Sequence, residues 1–169
     1  MSYLDVAALK NMIVFTLEEP RFAIYLSAVE RVVQSVEITP LPNAPEIVLG
    51  VINVHGQIVP VLDIRQRFRL PQRHLHIDDQ FILANTSRRL VALCVDSVNN
   101  IHEIADQELV TAEKLQFGSE YIQGVVKLEN NLILICDLDQ FLSLDEERKL
   151  VTVMAESAAE ALKSEAPKV

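Results

Sequence analysis

The sequence predicts an all-β protein in two similar halves, followed by one C-terminal helix. Three observations carry this reading. Short runs rich in Val, Ile and Leu are separated by turn signals. Residue patterns of the first half return in the second at constant spacing. After Ser143 the composition changes to good helix formers.

Taken in order, Met12–Leu17 is the first strand, closed by Glu18-Glu19-Pro20. Arg21–Leu26 is the second, and a short turn over Ser27–Glu30 leads to Arg31–Val36. Thr39-Pro-Leu-Pro-Asn-Ala-Pro45 holds three prolines in seven residues, which excludes both helix and central strand and leaves a stiff extended connection. Leu49–Val54 and Gln57–Asp63 flank His55-Gly56, a tight turn between two apolar runs. Beyond Pro71 the strands are Gln80–Asn85, Leu90–Val95, Asn99–Ile104, Tyr121–Leu128 and Asn131–Asp137.

The repeat can be written residue by residue. Ala23-Ile-Tyr-Leu-Ser-Ala-Val29 lies over Ala92-Leu-Cys-Val-Asp-Ser-Val98 at an offset of 69. Gly50-Val-Ile-Asn-Val54 lies over Gly124-Val-Val-Lys-Leu128 at an offset of 74, which also carries Asp63-Ile64 onto Asp137-Leu138. One β domain over residues 11–142 is expected, made of two interleaved β subdomains with an internal repeat of about 21–64 and 89–138. About five short strands per half is the content of a small barrel that closes its own edges. The helix is expected over 143–163. Ser143 and Glu146 form a capping box, Asp145 and Glu147 suit the positive end of the helix dipole, and Leu150, Met154, Ala158 and Leu162 make a stripe at helical spacing. Such a stripe docks on the chain's own core, here the second barrel, or else mediates association. Residues 164–169 read as a tail.

The 169 residues are 50% hydrophobic and 23% charged, which excludes wholesale disorder, and carry 24 acids against 15 bases for a formal charge of −9. A chain so acidic repels phosphate backbones, so nucleic acid is not an expected partner. No apolar run approaches the roughly 20 residues that span a bilayer. Met1–Lys10 has no basic n-region of a signal peptide. A cytoplasmic protein is expected. Cys94 and Cys136 lie inside apolar runs, where cysteine serves as a small core hydrophobe.

No P-loop, GxGxxG or GxSxG motif is present, and neither catalytic residues nor a cofactor is expected. His74-Leu-His76 with Asp78 and Asp79 is the best metal candidate, because alternating histidines on an extended segment face one side. It supports a remote alternative, a metal-dependent enzyme; a solvated loop joining the halves is the expected reading. Asp63 and Asp137, a formal carboxylate pair, each end a strand and suit the cap of a following helical turn. His55, beside Gly56 in a tight turn, is a candidate partner contact, since turn residues on rigid scaffolds often carry binding.

Leu41-Pro-Asn-Ala-Pro45, Val48-Leu-Gly-Val-Ile-Asn53 and Gly56-Gln-Ile-Val-Pro-Val-Leu-Asp63 resemble the CheW-like domain, whose members share a stretch of the form PxxP–GxxNLRGxxxPVxDL. Val95-Asp-Ser-Val98, Tyr121-Ile-Gln-Gly-Val125 and Leu134-Ile-Cys-Asp-Leu138 extend the resemblance over about 11–142. It implies two five-stranded SH3-like barrels sharing a core. It also implies a non-catalytic adaptor that joins the regulatory domain of the histidine kinase CheA to the cytoplasmic hairpin tip of chemoreceptors (methyl-accepting chemotaxis proteins). Receptor helices would lie in an apolar groove between the barrels, with Val29, Val32 and Val98 as its candidates. The family's VxEV reads Val29-Glu-Arg-Val32 here, with Arg31 in place of Glu, and NLRG reads Asn53-Val-His-Gly56, with His55 in place of Arg. Both members of a charged pair tied to partner binding have therefore changed. An Arg31–His55 contact would favour neutral imidazole. The alternative reading is a divergent adaptor in a pilus, surface-motility or gene-regulatory array, with a partner whose charge matches Arg31.

Overall fold

The computed structural model describes residues 9–111, 120–128 and 130–164. Its strands are β1 (Leu9–Thr16), β2 (Arg21–Tyr25), β3 (Val29–Gln34), β4 (Val48–Val54), β5 (Gln57–Leu62), β6 (Gln80–Asn85), β7 (Leu90–Val95), β8 (Ser97–Ala105), β9 (Leu109–Thr111), β10 (Ile122–Leu128) and β11 (Asn131–Cys136), followed by the helix α1 (Leu144–Ser164). A six-stranded sheet runs β8-β1-β2-β11-β10-β9, and a five-stranded sheet runs β3-β6-β7-β5-β4. The all-β expectation holds. Sequence reading missed β9, a three-residue strand in polar surroundings, and the turn expected at Ser27–Glu30 is a 3₁₀ turn over Leu26–Ala28.

The two sheets are built alike. Replacing β3, β6, β7, β5 and β4 by the strands 69 or 74 residues away turns the second order into β8-β1-β2-β11-β10. Registers agree to the residue: Val61 pairs with Ala92 in the parallel contact of β5 with β7, and Ile135 pairs with Ala23 in that of β11 with β2. Irregularities recur too. One register shift falls between Val29 and Arg31 and its counterpart opposite Val98 and Asn100. Another falls between Val48 and Gly50 and again between Ile122 and Gly124. Sequence halves and sheets do not coincide, however. β2 joins β10 and β11, while β3, β4 and β5 join β6 and β7.

Each sheet curls towards closure through the chain that leaves its outer strand. Thr39 pairs with Val51 through N–O distances of 2.9 and 2.8 Å, and β9, continuing from β8, pairs with β10. Gly50 makes the first closure possible, because a Cβ there would sit 2.3 Å from the Thr39 carbonyl oxygen.

Apolar residues then sort into three clusters. Met12, Val14, Ala23, Val126, Ile133 and Ile135 fill the inside of the six-stranded barrel. Phe81, Leu83, Ala92, Ile52, Val59 and Val61, their counterparts in the repeat, fill the other. The third and largest cluster lies where the barrels meet and takes residues from both sheets, among them Phe15, Phe22, Ile82, Leu93 and Cys136. Each sheet therefore has an apolar face towards its own interior and another towards the shared core, which explains fully buried runs such as Val59–Leu62.

α1 docks on that shared core rather than on one barrel. Leu150 and Val153 belong to the cluster and Met154 packs against it, whereas Ala158 is exposed; the side chain of Leu162 lies outside the described residues. The capping box forms in full: the Ser143 amide donates to Glu146 at 2.9 Å and the Glu146 amide to the Ser143 hydroxyl at 3.1 Å. Two arginines fix the first turns of the helix. Arg67 donates to Glu146 at 2.6 Å and to the Phe141 carbonyl oxygen at 2.8 Å, and Arg89 Nε reaches both Glu147 oxygens at 2.7 and 3.0 Å.

Candidate partner interface

β3 and the start of β8 hold equivalent places in the two sheets, and each carries part of the candidate groove. Val29 and Val32 on β3 and Val98 on β8 are half-buried, and all three pack against the shared core cluster. They are neither sealed inside a barrel nor free in solvent. Gln80 links the two places: its side-chain carbonyl accepts the Val98 amide at 2.7 Å, while its backbone pairs with Gln34 at the end of β3. At the register shift that follows Val29, Glu30 and Arg31 are both exposed.

His55 and Gly56 form a two-residue connection between Val54 and Gln57, which pair across the hairpin. Their φ values of 49° and 88° give both turn residues the positive φ of a type I′ turn, matched to the right-handed twist of the flanking strands. The Asn53 side chain accepts the Gly56 amide at 2.8 Å and holds the turn shut. The His55 side chain is exposed.

Arg31 and His55 are not brought together. β3 and β4 are the outer strands of the five-stranded sheet, with β6, β7 and β5 between them, and no hydrogen bond or ion pair joins the two among the described residues. Whatever each contributes to recognition, it contributes at a separate place on the surface.

Other residues singled out by the sequence are structural. Asp63 caps the 3₁₀ turn Ile64–Phe68, its carboxylate accepting the Arg65 amide at 3.3 Å, and Asp137 stands at the same place before Leu138–Gln140. Their amides donate to Ile47 and Tyr121, again at equivalent positions. Burial pushes the Asp137 carboxyl up from its usual range. His74 and His76 are exposed, while Asp79 turns inward to accept both Arg73 and the His76 amide. Burial also raises the thiols, Cys94 to about 12 and Cys136 further, as suits core hydrophobes.

Sequence reading missed a charge network beneath the connection between β5 and β6. Arg65, 5% exposed, pairs with Glu18 and with Asp96; Arg73 reaches Asp96 at 2.6 Å; and the Glu18 amide donates to Asp96 at 2.8 Å. Asp96 therefore ties the β1–β2 turn of one barrel to the loop of the other. The members are scattered from residue 18 to residue 96, so no local motif signals them.

Comparison with known proteins fits this architecture. The model of the CheW-like domain family matches residues 11–146. The chemotaxis protein CheW of Rhizobium meliloti is 27% identical over 139 residues, covering 81% of this chain and 90% of that one. CheW of Thermotoga maritima is 30% identical over 133 residues, covering 76% and 84%. The crystal structure of the scaffolding protein TtCheW from Thermoanaerobacter tengcongensis superposes with a TM-score of 0.74 at 27% identity, over 81% of this chain and 94% of that one. With the paired barrels, the recurring register and a family match over most of its length, the chain belongs to the CheW-like domain family.

Proposed function

We propose that this chain is a non-catalytic adaptor of chemosensory signalling, cytoplasmic and held at receptor arrays through its partners. It couples the cytoplasmic hairpin tip of a chemoreceptor to the regulatory domain of the histidine kinase CheA. The receptor helix lies along β3 and the start of β8, on Val29, Val32 and Val98, a helix-in-groove mode. The observation that carries the reading is the placement of these valines. Repeat-related strands carry them half-buried against one core cluster, which supports their serving as apolar contacts for a helix.

A second reading, a divergent adaptor serving a pilus, surface-motility or gene-regulatory array, is favoured by Arg31 and His55. Both are exposed, Arg31 on β3 and His55 in the β4–β5 turn, where each replaces a family residue of different charge character. The deciding experiment measures binding to the kinase regulatory domain of the same organism, with and without a receptor hairpin-tip fragment. Binding to both supports the ordinary adaptor, kinase binding alone the divergent one, and binding to neither refutes both.

A further inference from the structure

The offsets that relate the strands also relate two cavities. In the five-stranded barrel a cavity of about 230 Å³ is lined by Leu49, Asp63, Arg65 and Cys94, and by Arg73, His74 and Leu75 of the connection into β6. In the six-stranded barrel a cavity of about 180 Å³ has Tyr25, Gln123, Asp137 and Asp139 in its lining. These are the same four places. Adding 74 carries Leu49, Asp63 and Arg65 onto Gln123, Asp137 and Asp139, and subtracting 69 carries Cys94 onto Tyr25. The ladders agree, since Cys94 lies opposite Phe81 between β7 and β6, and Tyr25 opposite Met12 between β2 and β1.

The connection into β6 has a counterpart of its own. Subtracting 69 carries Arg73-His74-Leu75 onto Leu4-Asp5-Val6, ahead of β1. Val6 stands four residues before Lys10, as Leu75 stands four before Asp79. The charges change together. Arg73 is held by Asp79 and Asp96, and those two positions become Lys10 and Ser27. A partly buried arginine needs its carboxylates, whereas leucine needs no counter-charge. Leucine also suits the neighbourhood of the Tyr25 ring, over which the Lys10 ammonium lies 5.2 Å from the centroid.

We infer that residues 3–8 of this chain fold over the cavity beside Tyr25, Gln123 and Asp137, as residues 72–77 pass over its repeat counterpart. Val6 takes the place of Leu75, and Leu4 that of Arg73. The segment joins the entry of β1 to the β10–β11 side of the six-stranded barrel by apolar contact, where the other barrel uses an ion pair. The inference is independent of the adaptor reading, because Val29, Val32 and Val98 do not line the cavity.

The test uses the full, isotope-labelled chain with a nitroxide attached at Asp5→Cys, the native Cys94 and Cys136 being half-buried and buried. Amide signals of Gln123, Leu138 and Asp139 are expected to be lost and to return when the nitroxide is reduced, and the reduced spectrum also reports on the fold. Adding Val6→Lys is expected to restore the signals without reduction, while adding Val6→Leu, the residue found at position 75, keeps them lost. Signals at full strength in the tagged chain overturn the proposal, as does a loss that Val6→Lys leaves unchanged. An equal loss in untagged, labelled chain mixed with tagged, unlabelled chain assigns the segment to a second copy and overturns it too.

Discussion

Arg73 grips Asp79, six positions further along the chain, with both terminal guanidinium nitrogens, at 2.9 and 2.6 Å. Asp79 is 2% exposed and also accepts the His76 amide at 2.8 Å, so the pair holds the connection between the halves against the body. Burial alone would raise the Asp79 carboxyl, but the Arg73 and His76 hydrogen bonds outweigh it and hold the carboxyl below its usual value. Arg73→Ala leaves a buried carboxylate without its cation and is expected to cost about 2–3 kcal/mol. Denaturant unfolding at pH 7 checks this, and the cost should shrink when Asp79→Asn is added.

The sign of the pH dependence follows. A carboxyl with a lowered folded-state value binds protons more readily when unfolded, so its contribution is complete above the unfolded value of about 3.9 and is lost as pH falls through the folded one. Glu146 behaves alike: burial pushes it up, but Arg67 and Ser143 bring it below its usual range. Stability should fall below about pH 4.5, and Glu146→Gln should flatten part of that fall. Ser143→Ala, which removes the cap, is expected to cost about 1 kcal/mol.

Two glycines separate conformational cost from steric cost. At Gly56 nothing lies within 4 Å of an added Cβ, so Gly56→Ala pays only for its φ of 88°, about 1–2 kcal/mol. At Gly50 the added carbon meets the Thr39 carbonyl oxygen, so Gly50→Ala should cost more and open the barrel closure. Hydrogen exchange at the Val51 and Thr39 amides would show that opening.

Neither cysteine is expected to react in the folded chain. With Cys94 raised to about 12 and Cys136 fully buried, alkylation by iodoacetamide at pH 8 should be slower by orders of magnitude than in the unfolded chain. Mass spectrometry of native and denatured samples reads this directly.

Val98→Lys is expected to abolish receptor-tip binding with kinase binding intact, because a groove that buries an apolar helix does not accept an unpaired charge. Arg31→Glu should lower affinity about tenfold where the partner is acidic, and reduce the salt dependence. Surface plasmon resonance at two salt concentrations distinguishes the two effects.

Much of this molecule was legible in one dimension because its physics is local or periodic. Turn residues marked His55-Gly56, Ser143 and Glu146 announced the capping box, and the offsets of 69 and 74 marked the two similar halves, whose parallel contacts obey the same offsets. Tertiary structure decided what joins residues distant along the chain. It exchanged strands between the halves, kept Arg31 on β3 apart from His55 in the β4–β5 turn, and seated α1 across the shared core. It also gathered Glu18, Arg65, Arg73 and Asp96 into one network, and Phe22, Phe68, Tyr121 and Leu134 around one cleft. Hydrophobic period and turn chemistry are written into neighbouring residues, so sequence determines the strands. Ion pairs and clefts depend on which strands meet, and only the packing of two similar barrels against each other determines that.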